Sequence, residues 1–292
     1  MIIKYEEAKL IAEIGCNHKG DFKIAKELVW QAKINGATAV KFQKRTNTEV
    51  LSEKEYNEPH PNPKNSYGAT YGAHREFLEF TLEEHIELKK YCESIDIAYG
   101  CSVWDMTSTK EIASMNPVFI KIPSALNTNF ELLGWLAKNY QGEIHISTGM
   151  TTKKEIESII EFIDDNKRGQ DTILYHCTSG YPITSREATL LEISYLKEKY
   201  GDKVKYIGYS GHHCGGIIDL VAYTLGATII ERHFTINKTW KGTDHSASLE
   251  PNELGELRNN LTEVYESLCY KEQDLLEVEK EQRRKLKWDR NQ

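Results

Sequence analysis

Two histidines in the last third of the chain have the residue type and the spacing of a metal-binding pair. His212 follows the apolar run 204–210, and His233 lies at the end of the run 228–234. Both runs are strand-like, and a helix-length stretch separates them, so the two side chains are expected at equivalent ends of successive strand–helix units. Active sites of α/β barrels lie at such strand ends. Neutral imidazoles there suit a divalent cation with open coordination positions, and a pair of buried structural histidines is the alternative.

Polar residues are predicted in register at the ends of the other strand-like runs as well. Strand side chains alternate between a barrel interior and its helical shell, and this alternation predicts one inward-facing set. The set consists of Glu13, Lys41, Gln43, Ser102, Lys121, His145, Ser147, His176, Ser210, Glu231 and His233. Barrel interiors are usually filled with Val, Ile and Leu. A buried lysine needs an anion, so Lys41 and Lys121 require either carboxylate partners within the set or a bound phosphate or carboxylate. A network of internal salt bridges is the alternative to a binding site.

Short β-branched or apolar runs alternate with amphipathic stretches along most of the chain. The predicted strands are residues 10–15, 37–43, 97–103, 118–123, 143–148, 172–177, 204–210 and 228–234. Helices are predicted after each strand, for example at residues 22–35, 82–94, 153–165 and 253–269. Eight strand–helix units within about 250 residues predict an α/β protein with a (β/α)8 TIM barrel. A doubly wound open sheet is the alternative, but residues 15–20 (Gly-Cys-Asn-His-Lys-Gly) lack its glycine-rich phosphate loop.

One connection in this pattern, residues 44–80, is long, polar and rich in turn residues. Loops of this length are uncommon unless they are functional. We interpret the segment as a lid or an intersubunit loop after the second strand, with a disordered insertion as the alternative. Residues 1–270 are predicted to form the barrel domain, and residues 271–292 a charged tail or linker.

The composition is that of a globular protein, with 39% hydrophobic and 28% charged residues among 292. No apolar run approaches the roughly 18 residues needed to span a membrane, and residues 1–8 do not read as a signal peptide. Six cysteines without CxxC spacing favour reduced thiols, and therefore a cytoplasmic protein. A net charge of −7 argues against nucleic acid as a partner, although local cations can still hold a small anion.

Six segments, taken in order, carry a family resemblance. They are residues 12–18 (Ala-Glu-Ile-Gly-Cys-Asn-His), 40–43 (Val-Lys-Phe-Gln), 120–124 (Ile-Lys-Ile-Pro-Ser), 147–150 (Ser-Thr-Gly-Met), 176–182 (His-Cys-Thr-Ser-Gly-Tyr-Pro) and 231–235 (Glu-Arg-His-Phe-Thr). Together they resemble the sialic acid synthase family over about residues 10–269.

The resemblance implies a reaction in which phosphoenolpyruvate (PEP) condenses with an open-chain N-acylated hexosamine, such as N-acetylmannosamine. The products are a nine-carbon, sialic-acid-like keto acid and phosphate. It also implies a divalent cation, Mn²⁺ or Mg²⁺, that activates the aldehyde, and a homodimer. The alternatives are a metal-dependent or Schiff-base aldolase on the same barrel, with Lys121 as the Schiff-base candidate, and a non-catalytic sugar-acid-binding scaffold.

The resemblance further implies roles for individual residues. It places the metal ligands at His212 and His233. It places contacts with PEP at Lys41, Ser102, Lys121, Ser124, Ser147, Ser179 and Ser210. Glu13, Asn17 and Asp244 fall near the acceptor sugar and the reacting centre, and Gln43 and Tyr181 complete the substrate-binding candidates. Glu13, Lys41 and Lys121 are the catalytic candidates, with Glu13 expected to handle the proton of the attacking water.

The sequence departs from the family at three places. Leu126 stands where the family usually has a glutamate that contacts the acceptor, and Gly211 stands where an aspartate usually precedes the metal histidine, here followed by His213. Family members also continue into a small C-terminal antifreeze-like domain, which this sequence is expected to lack. PEP recognition is therefore expected to be intact, whereas precursors of legionaminic or pseudaminic acid, or a non-acylated hexose, stay open as acceptors.

Other histidines are open to two interpretations. His245, in the loop after the eighth strand, either contacts the acceptor or is exposed to solvent. His74 and Arg75, in the long segment 44–80, could meet an anionic ligand.

Overall fold

The computed structural model describes residues 5–288, and within them the predicted strands form a closed parallel barrel in chain order, β8 pairing with β1. The strands are β1 (Lys9–Gly15), β2 (Ala39–Lys44), β3 (Ala98–Val103), β4 (Phe119–Ile122), β5 (Glu143–Ser147), β6 (Thr172–Cys177), β7 (Tyr206–Gly211) and β8 (Ile229–His233). Each boundary lies within two residues of its prediction. The predicted (β/α)8 barrel is confirmed, and the open-sheet alternative is wrong.

Helices surround the barrel and occupy most of the connections between its strands. Those in residues 5–288 are α1 (Phe22–Ile34), α2 (Asn47–Val50), α3 (Glu53–Asn57), α4 (Tyr71–Leu78), α5 (Leu82–Ser94), α6 (Met106–Ser114), α7 (Phe130–Asn139), α8 (Lys153–Asp165), α9 (Leu191–Tyr200), α10 (Ile217–Thr224), α11 (Pro251–Ser267) and α12 (Glu277–Leu286). The helix predicted at residues 253–269 begins and ends two residues earlier, because Pro251 occupies its first turn.

Helix α8 shows how local sequence fixes a shell element. Thr152 and Glu155 form a reciprocal capping box at its start, a motif that contributes about 1 kcal/mol. The buried face repeats at intervals of three and four residues, so that one stripe packs against the barrel. That stripe consists of Ile156, Ile159, Ile160 and Ile163.

The barrel interior has an apolar floor beneath its polar upper part. The floor consists of Ile11, Ala39, Phe119, Ile173, Tyr175 and Ile229. Two glycines make room for its rings, since a Cβ atom would lie 2.1 Å from the ring of Phe119 at Gly100 and 2.6 Å from the ring of Tyr175 at Gly208. The polar side chains therefore rest on packed aromatic rings.

The connection of residues 44–80, hereafter the long loop, is folded and contains the short helices α2, α3 and α4. Its two ends are joined by Arg45 and Glu79. The backbone N–H of Arg45 donates to Glu79 Oε2 at 2.9 Å, and Arg45 Nη1 lies 3.3 Å from Glu79 Oε1. A disordered insertion is therefore the wrong interpretation of this segment.

Three findings bear on the remaining sequence predictions. No helix among residues 5–288 is long and apolar enough to cross a membrane. All six cysteines lie within the described residues, and none of them forms a disulfide there. Residues 1–4 and 289–292 lie outside the described part, so the predictions for residues 1–8 and for the tail 271–292 fall partly outside it.

Candidate active site

A cavity of about 400 Å³ opens at the carboxyl ends of the strands, between the barrel and the long loop. Every residue to which the family resemblance assigns a site role lines it. These residues are Glu13, Asn17, Lys41, Gln43, Ser102, Lys121, Ser124, Ser147, Ser179, Tyr181, Ser210, His212, His233 and Asp244. Their convergence on one cavity is a structural finding, and their individual roles remain predictions.

The centre of the cavity holds two lysines and two glutamates, Glu13, Lys41, Lys121 and Glu231, hereafter the barrel-centre cluster. Lys41 Nζ lies 2.5 Å from Glu13 Oε2 and 4.0 Å from Glu231 Oε2. Lys121 Nζ donates to Glu231 Oε1 at 2.7 Å and lies 4.0 Å from the centre of the Tyr175 ring. None of the four residues is more than 5% exposed. Both lysines thus have carboxylate partners on the wall of a cavity that can admit an anion.

Two serines extend this cluster along the cavity wall. Ser102 Oγ accepts a hydrogen bond from Lys41 Nζ at 2.7 Å, and Ser210 Oγ donates to Glu231 Oε1 at 3.0 Å. Hydroxyl groups both donate and accept, so each serine can exchange its present partner for an oxygen of a bound anion.

The charges of the cluster shift the proton affinities of its members. Burial alone would raise the pKa of the Glu231 carboxyl, but Lys121 and Lys41 outweigh burial and hold this pKa well below its usual range. Burial alone would lower the pKa of Lys41, but Glu13 and Glu231 outweigh it and raise that pKa. Burial, with Lys41 nearby, lowers the pKa of Lys121 despite its bond to Glu231. The proton affinities of Lys41, Lys121 and Glu231 are therefore set by one another as well as by burial.

Glu13 and Asn17 differ in how far their hydrogen bonds are already used. Glu13 Oε1 accepts from Gln43 Nε2 at 2.6 Å while its other oxygen faces Lys41. Asn17 Nδ2 donates to the carbonyl of Phe234 at 2.8 Å and to Ser248 Oγ at 3.0 Å. Both amide N–H groups of Asn17 therefore tie the loop after β1 to the loop after β8.

His212 and His233 are brought together as predicted, with ring centroids 5.5 Å apart. His212 Nδ1 lies 2.9 Å from the carbonyl of Thr178, an arrangement that places its proton on Nδ1 and leaves the Nε2 lone pair free. Burial, reinforced by His233, lowers the pKa of His212 to about 3, so the ring is neutral near pH 7. Among the described residues, the buried His233 Nδ1 has no hydrogen-bond partner and lies 4.0 Å from Asp244 Oδ2.

These two rings fit a divalent cation that keeps open coordination positions. Within residues 5–288, no three His, Cys, Asp or Glu side chains are grouped closely enough to enclose a metal. A neutral imidazole whose second nitrogen is held by a carbonyl, beside a ring with an unpartnered buried nitrogen, can supply two protein ligands to such a cation. Tyr181 covers the pair, its ring centroid 4.2 Å from that of His212.

His213 belongs to a different group of buried charges, which lies outside the barrel. His213, Asp219 and Arg232 form this shell cluster, in which His213 Nε2 lies 3.2 Å from Asp219 Oδ2 and 3.0 Å from Arg232 Nη1. Arg232 also forms a short ion pair with Asp219 and donates to the carbonyl of Gly215 at 2.7 Å. None of the three side chains is more than 2% exposed. His213 is therefore held by the shell and not by the cavity.

The structure accounts for two of the departures from the family pattern. A Cβ atom on Gly211 would lie 2.8 Å from the ring of Tyr209 and 2.9 Å from that of His213, so the ring of His213 occupies the space that an aspartate would need. Leu126 ends the 3₁₀ turn Ser124–Leu126 and packs against the hydrophobic core between barrel and helices. No acidic group takes its place toward the cavity within this turn.

One prediction and one of two alternatives for individual histidines are wrong. His176 was expected to face the interior, but Tyr175 and Cys177 do so, and His176 faces the shell, where it bonds to the carbonyl of Ala188 at 2.8 Å. His245 is only 1% exposed, so its interpretation as an exposed loop residue is wrong.

Some cavity residues, Arg45 and Trp104 among them, were not predicted, because they come from the long loop and from a turn. His74 and Arg75, for which contact with an anionic ligand was left open, also line the cavity. The guanidinium of Arg75 bonds to the hydroxyl of Tyr71 at 2.7 Å and 3.1 Å, and no carboxylate of residues 5–288 lies within 4.0 Å of it. Arg75 therefore brings a cation to the cavity mouth without a paired anion.

Comparison with known proteins identifies the family. A sequence model of the NeuB family matches residues 28–273. The chain belongs to this family, the sialic acid synthases. It is 39% identical to the N-acetylneuraminate-9-phosphate synthase of Drosophila melanogaster over 87% of this chain and 67% of that protein. It is 37% identical to the enzyme of the same name from Homo sapiens, over 92% of this chain and 74% of that protein.

Other NeuB relatives differ in the acid they are named for. The N,N'-diacetyllegionaminic acid synthase of Campylobacter jejuni is 34% identical over 89% of this chain and 77% of that protein. Among solved structures, an N-acetylneuraminic acid synthetase from Leptospira borgpetersenii in complex with citrate matches with a TM-score of 0.82 at 29% identity, covering 96% of this chain and 93% of that chain. The resemblance carried by the six sequence segments is confirmed.

Proposed function

We propose that this NeuB protein condenses PEP with an open-chain hexosamine to give a nonulosonate and phosphate, with PEP bound at the barrel-centre cluster. Membership of the family carries the reaction type, the formation of a carbon–carbon bond by a PEP-dependent transferase. The observation that supports the site is the pair Lys41 and Lys121, which line the cavity although each is only 3% exposed, with Ser102 and Ser210 beside them.

The residues of the cluster have distinct parts in the proposed reaction. PEP carries a carboxylate and a phosphate, and the lysines bind these groups as point charges while the serines fix their orientation. C3 of PEP attacks the aldehyde carbon, and positive charge develops at C2. Water adds to C2 and loses a proton, and the resulting tetrahedral carbon expels phosphate by breaking its C–O bond. Glu13, which faces Lys41 from β1, is the proposed acceptor of the water proton.

His212 and His233 are the proposed ligands of a divalent cation, Mn²⁺ or Mg²⁺. When bound, the cation supplies a Lewis acid that polarises the aldehyde oxygen. The protein keeps His212 in one tautomer through the carbonyl of Thr178. Asp244, beside His233, and Tyr181, over His212, are then placed to contact the acceptor sugar.

The acceptor is proposed to carry a negative charge on its far end. Arg75 is a cation at the cavity mouth without a carboxylate partner among the described residues. PEP supplies the first three carbons of the nine-carbon acid, so C6 of the hexosamine becomes C9 of the product. Relatives at 37–39% identity are named 9-phosphate synthases, which implies a hexosamine 6-phosphate for those proteins. The same class of acceptor satisfies Arg75 here.

The Schiff-base aldolase is disfavoured as an alternative. An amine nucleophile needs an uncharged lysine in an apolar setting. Burial lowers the pKa of Lys121, but the Glu231 carboxylate, which accepts from its amine at 2.7 Å, stabilises the charged form. Borohydride treatment with a keto acid is expected to leave Lys121 unmodified, and a covalent adduct there would replace the proposed reaction by the aldolase.

Two further parts of the proposal concern the state of the protein in the cell. We expect a homodimer, which is the default symmetric assembly, and a cytoplasmic location, which unpaired cysteines favour. Sedimentation of the purified protein tests the first part, and fractionation of source cells tests the second.

The deciding experiment is phosphate release from PEP with Mn²⁺ present, scanned over hexoses, N-acylhexosamines and their 6-phosphates. Release that depends on one acceptor, together with a nine-carbon keto acid by mass, supports the proposal and names the sugar. The absence of release with every acceptor, in a protein that binds PEP, would favour a non-catalytic scaffold.

A further inference from the structure

Arg45 connects the base of the long loop with the centre of the cavity. Its guanidinium lies at the start of the long loop, is paired with Glu79 at the other end, and stacks 4.3 Å above the ring of Trp104. The same guanidinium donates a short hydrogen bond from Nη2 to Gln43 Oε1. Arg45 is 6% exposed, so solvent does not compete strongly for these contacts.

Gln43 links Arg45 to Glu13. Since the amide oxygen of Gln43 is occupied by Arg45, its amide nitrogen must point the other way, toward Glu13 Oε1 at 2.6 Å. Glu13 is then held at both oxygens, by Gln43 on one side and by Lys41 on the other. A flipped amide would place two donors against Arg45 and an oxygen against a carboxylate.

We propose that Arg45 is a positioning residue that couples the seating of the long loop to the orientation of Glu13. The inference rests on the proposed function, in which Glu13 handles the proton of the attacking water. When Arg45 and Glu79 are joined, the loop is closed at its base and the Gln43 amide is fixed in one orientation. When they separate, Gln43 is free to turn and Glu13 loses one of its two restraints.

The geometry requires arginine at this position. The guanidinium of Arg45 is planar and forked, and it contacts Glu79, Gln43 and the face of the Trp104 ring at the same time. A lysine keeps the charge but has a single compact ammonium, which cannot bind bidentately or stack as guanidinium does. Arg45→Lys therefore retains an ion pair with Glu79 while releasing Gln43.

The first experiment compares Arg45→Lys with a matched control, Arg168→Lys. Arg168 is a second buried arginine, which donates to the carbonyls of Tyr140 and Gly142 at 2.7 Å and 2.8 Å in the connection before β6, at the opposite end of the barrel. We expect R45K to lower kcat by about 10- to 100-fold, as loss of an orienting contact does, while KM for PEP changes less than about threefold. R168K is expected to lower the melting temperature and leave kcat unchanged. Equal kcat in R45K and wild type would overturn the inference.

A second variant tests the pathway through Gln43. Gln43→Met leaves the Arg45–Glu79 pair intact but removes the contact with Glu13. If Arg45 and Gln43 act through the same series of contacts, the kcat of the double variant R45K/Q43M is about that of the less active single variant. Multiplied losses in the double variant would show that Arg45 acts by another route.

A third readout does not depend on activity. Limited proteolysis within residues 44–80 is expected to be faster in Arg45→Met and in Glu79→Gln, which both break the pair at the base of the loop, than in wild type or R168K. If wild type releases no phosphate with any acceptor, the proposed function fails, and the proteolysis still decides whether the loop is held by Arg45. Unchanged cleavage in both variants would show that the Arg45–Glu79 pair does not hold the long loop.

Discussion

Two groups of buried charges lie back to back on β8, and only one of them borders a cavity. Glu231 faces the barrel interior and belongs to the barrel-centre cluster, whereas the next residue, Arg232, faces the helices and belongs to the shell cluster. In the shell, Arg232 is closed in by Asp219, His213 and backbone carbonyls. At the centre, the lysines share their carboxylates across a space that a ligand can enter.

This difference distinguishes a structural ion pair from the proposed binding site. Burial and charge are common to both clusters, and so are hydrogen bonds to neighbouring polar groups. Replacement of partners is possible only at the centre, because an anion can reach Lys41 and Lys121 without unpacking the protein. The shell cluster, by contrast, is expected to act on folding alone.

The largest expected effect is on stability, in the shell. Arg232→Met leaves the buried carboxylate of Asp219 without its arginine and with only His213 beside it, and breaking a buried pair in this way costs about 3–5 kcal/mol. Urea unfolding followed by circular dichroism measures the loss. The double variant R232M/D219L removes both charges and is expected to recover much of it. A double variant as unstable as R232M would show that packing, and not charge, dominates the shell cluster.

The next effect is on activity, at the centre. Lys121→Met removes a cation that faces the cavity, and we expect kcat/KM for PEP to fall by about 10²- to 10³-fold, or roughly 3–4 kcal/mol. Lys44→Met is the matched control, since Lys44 lies on β2 with 9% exposure but pairs with Glu111 of the shell at 3.4 Å. Equal losses of kcat/KM in the two variants would erase the distinction between centre and shell.

A pH effect of about 2 kcal/mol is expected from a shell residue without a charged partner. Burial lowers the pKa of His85 from 6.5 to about 3, and its Nδ1 lies 2.6 Å from the hydroxyl of Tyr99. Below pH 6.5 His85 is protonated in the unfolded chain, whereas in the folded chain it stays neutral down to about pH 3. The free energy of unfolding therefore falls as the pH drops from 6.5 to about 3. The loss at pH 5 is roughly 2 kcal/mol by linkage.

The variant His85→Gln removes this linkage while retaining an acceptor for Tyr99. Urea midpoints at pH 7 and pH 5 should therefore differ less in H85Q than in wild type. The same difference in both proteins would place the pH dependence elsewhere.

The smallest effect is expected at the surface. Lys26 of α1 and Glu87 of α5 form an ion pair at 3.1 Å, with side chains 37% and 60% exposed. Because water screens such pairs, Glu87→Gln should shift the melting temperature by no more than about 2–4 °C and leave kcat/KM unchanged. A shift as large as that of R232M would contradict the view that burial decides the strength of these pairs.

The sequence predicts the barrel and the members of its site because both depend on local alternation. Each strand repeats with a period of two, and a closed barrel brings all the strand ends to one face. That is why residues as distant as Glu13 and Ser210 could be assigned to one cavity from the sequence. Glu231 was also placed correctly in the interior by the same alternation.

Contacts that depend on tertiary packing were beyond such reasoning. His176 was placed inside by counting the alternation back from the strand end, but Tyr175 takes the interior position, where its hydroxyl lies 2.8 Å from His145 Nδ1. The pairing of Arg45 with Glu79 joins residues on either side of a long, irregular segment. No spacing rule links them, although an arginine and a glutamate at the two ends of such a segment are a signal that could be sought.

The apolar floor of the barrel limits the routes by which a ligand can reach the cavity. With the rings of Phe119 and Tyr175 packed against Gly100 and Gly208, the path below the lysines is sealed within the described residues. The open side of the cavity is lined by residues of the long loop and by Tyr181, so a ligand is expected to reach the lysines from that side. If two ligands lie one above the other in a pocket that is closed below, the lower ligand binds first and leaves last.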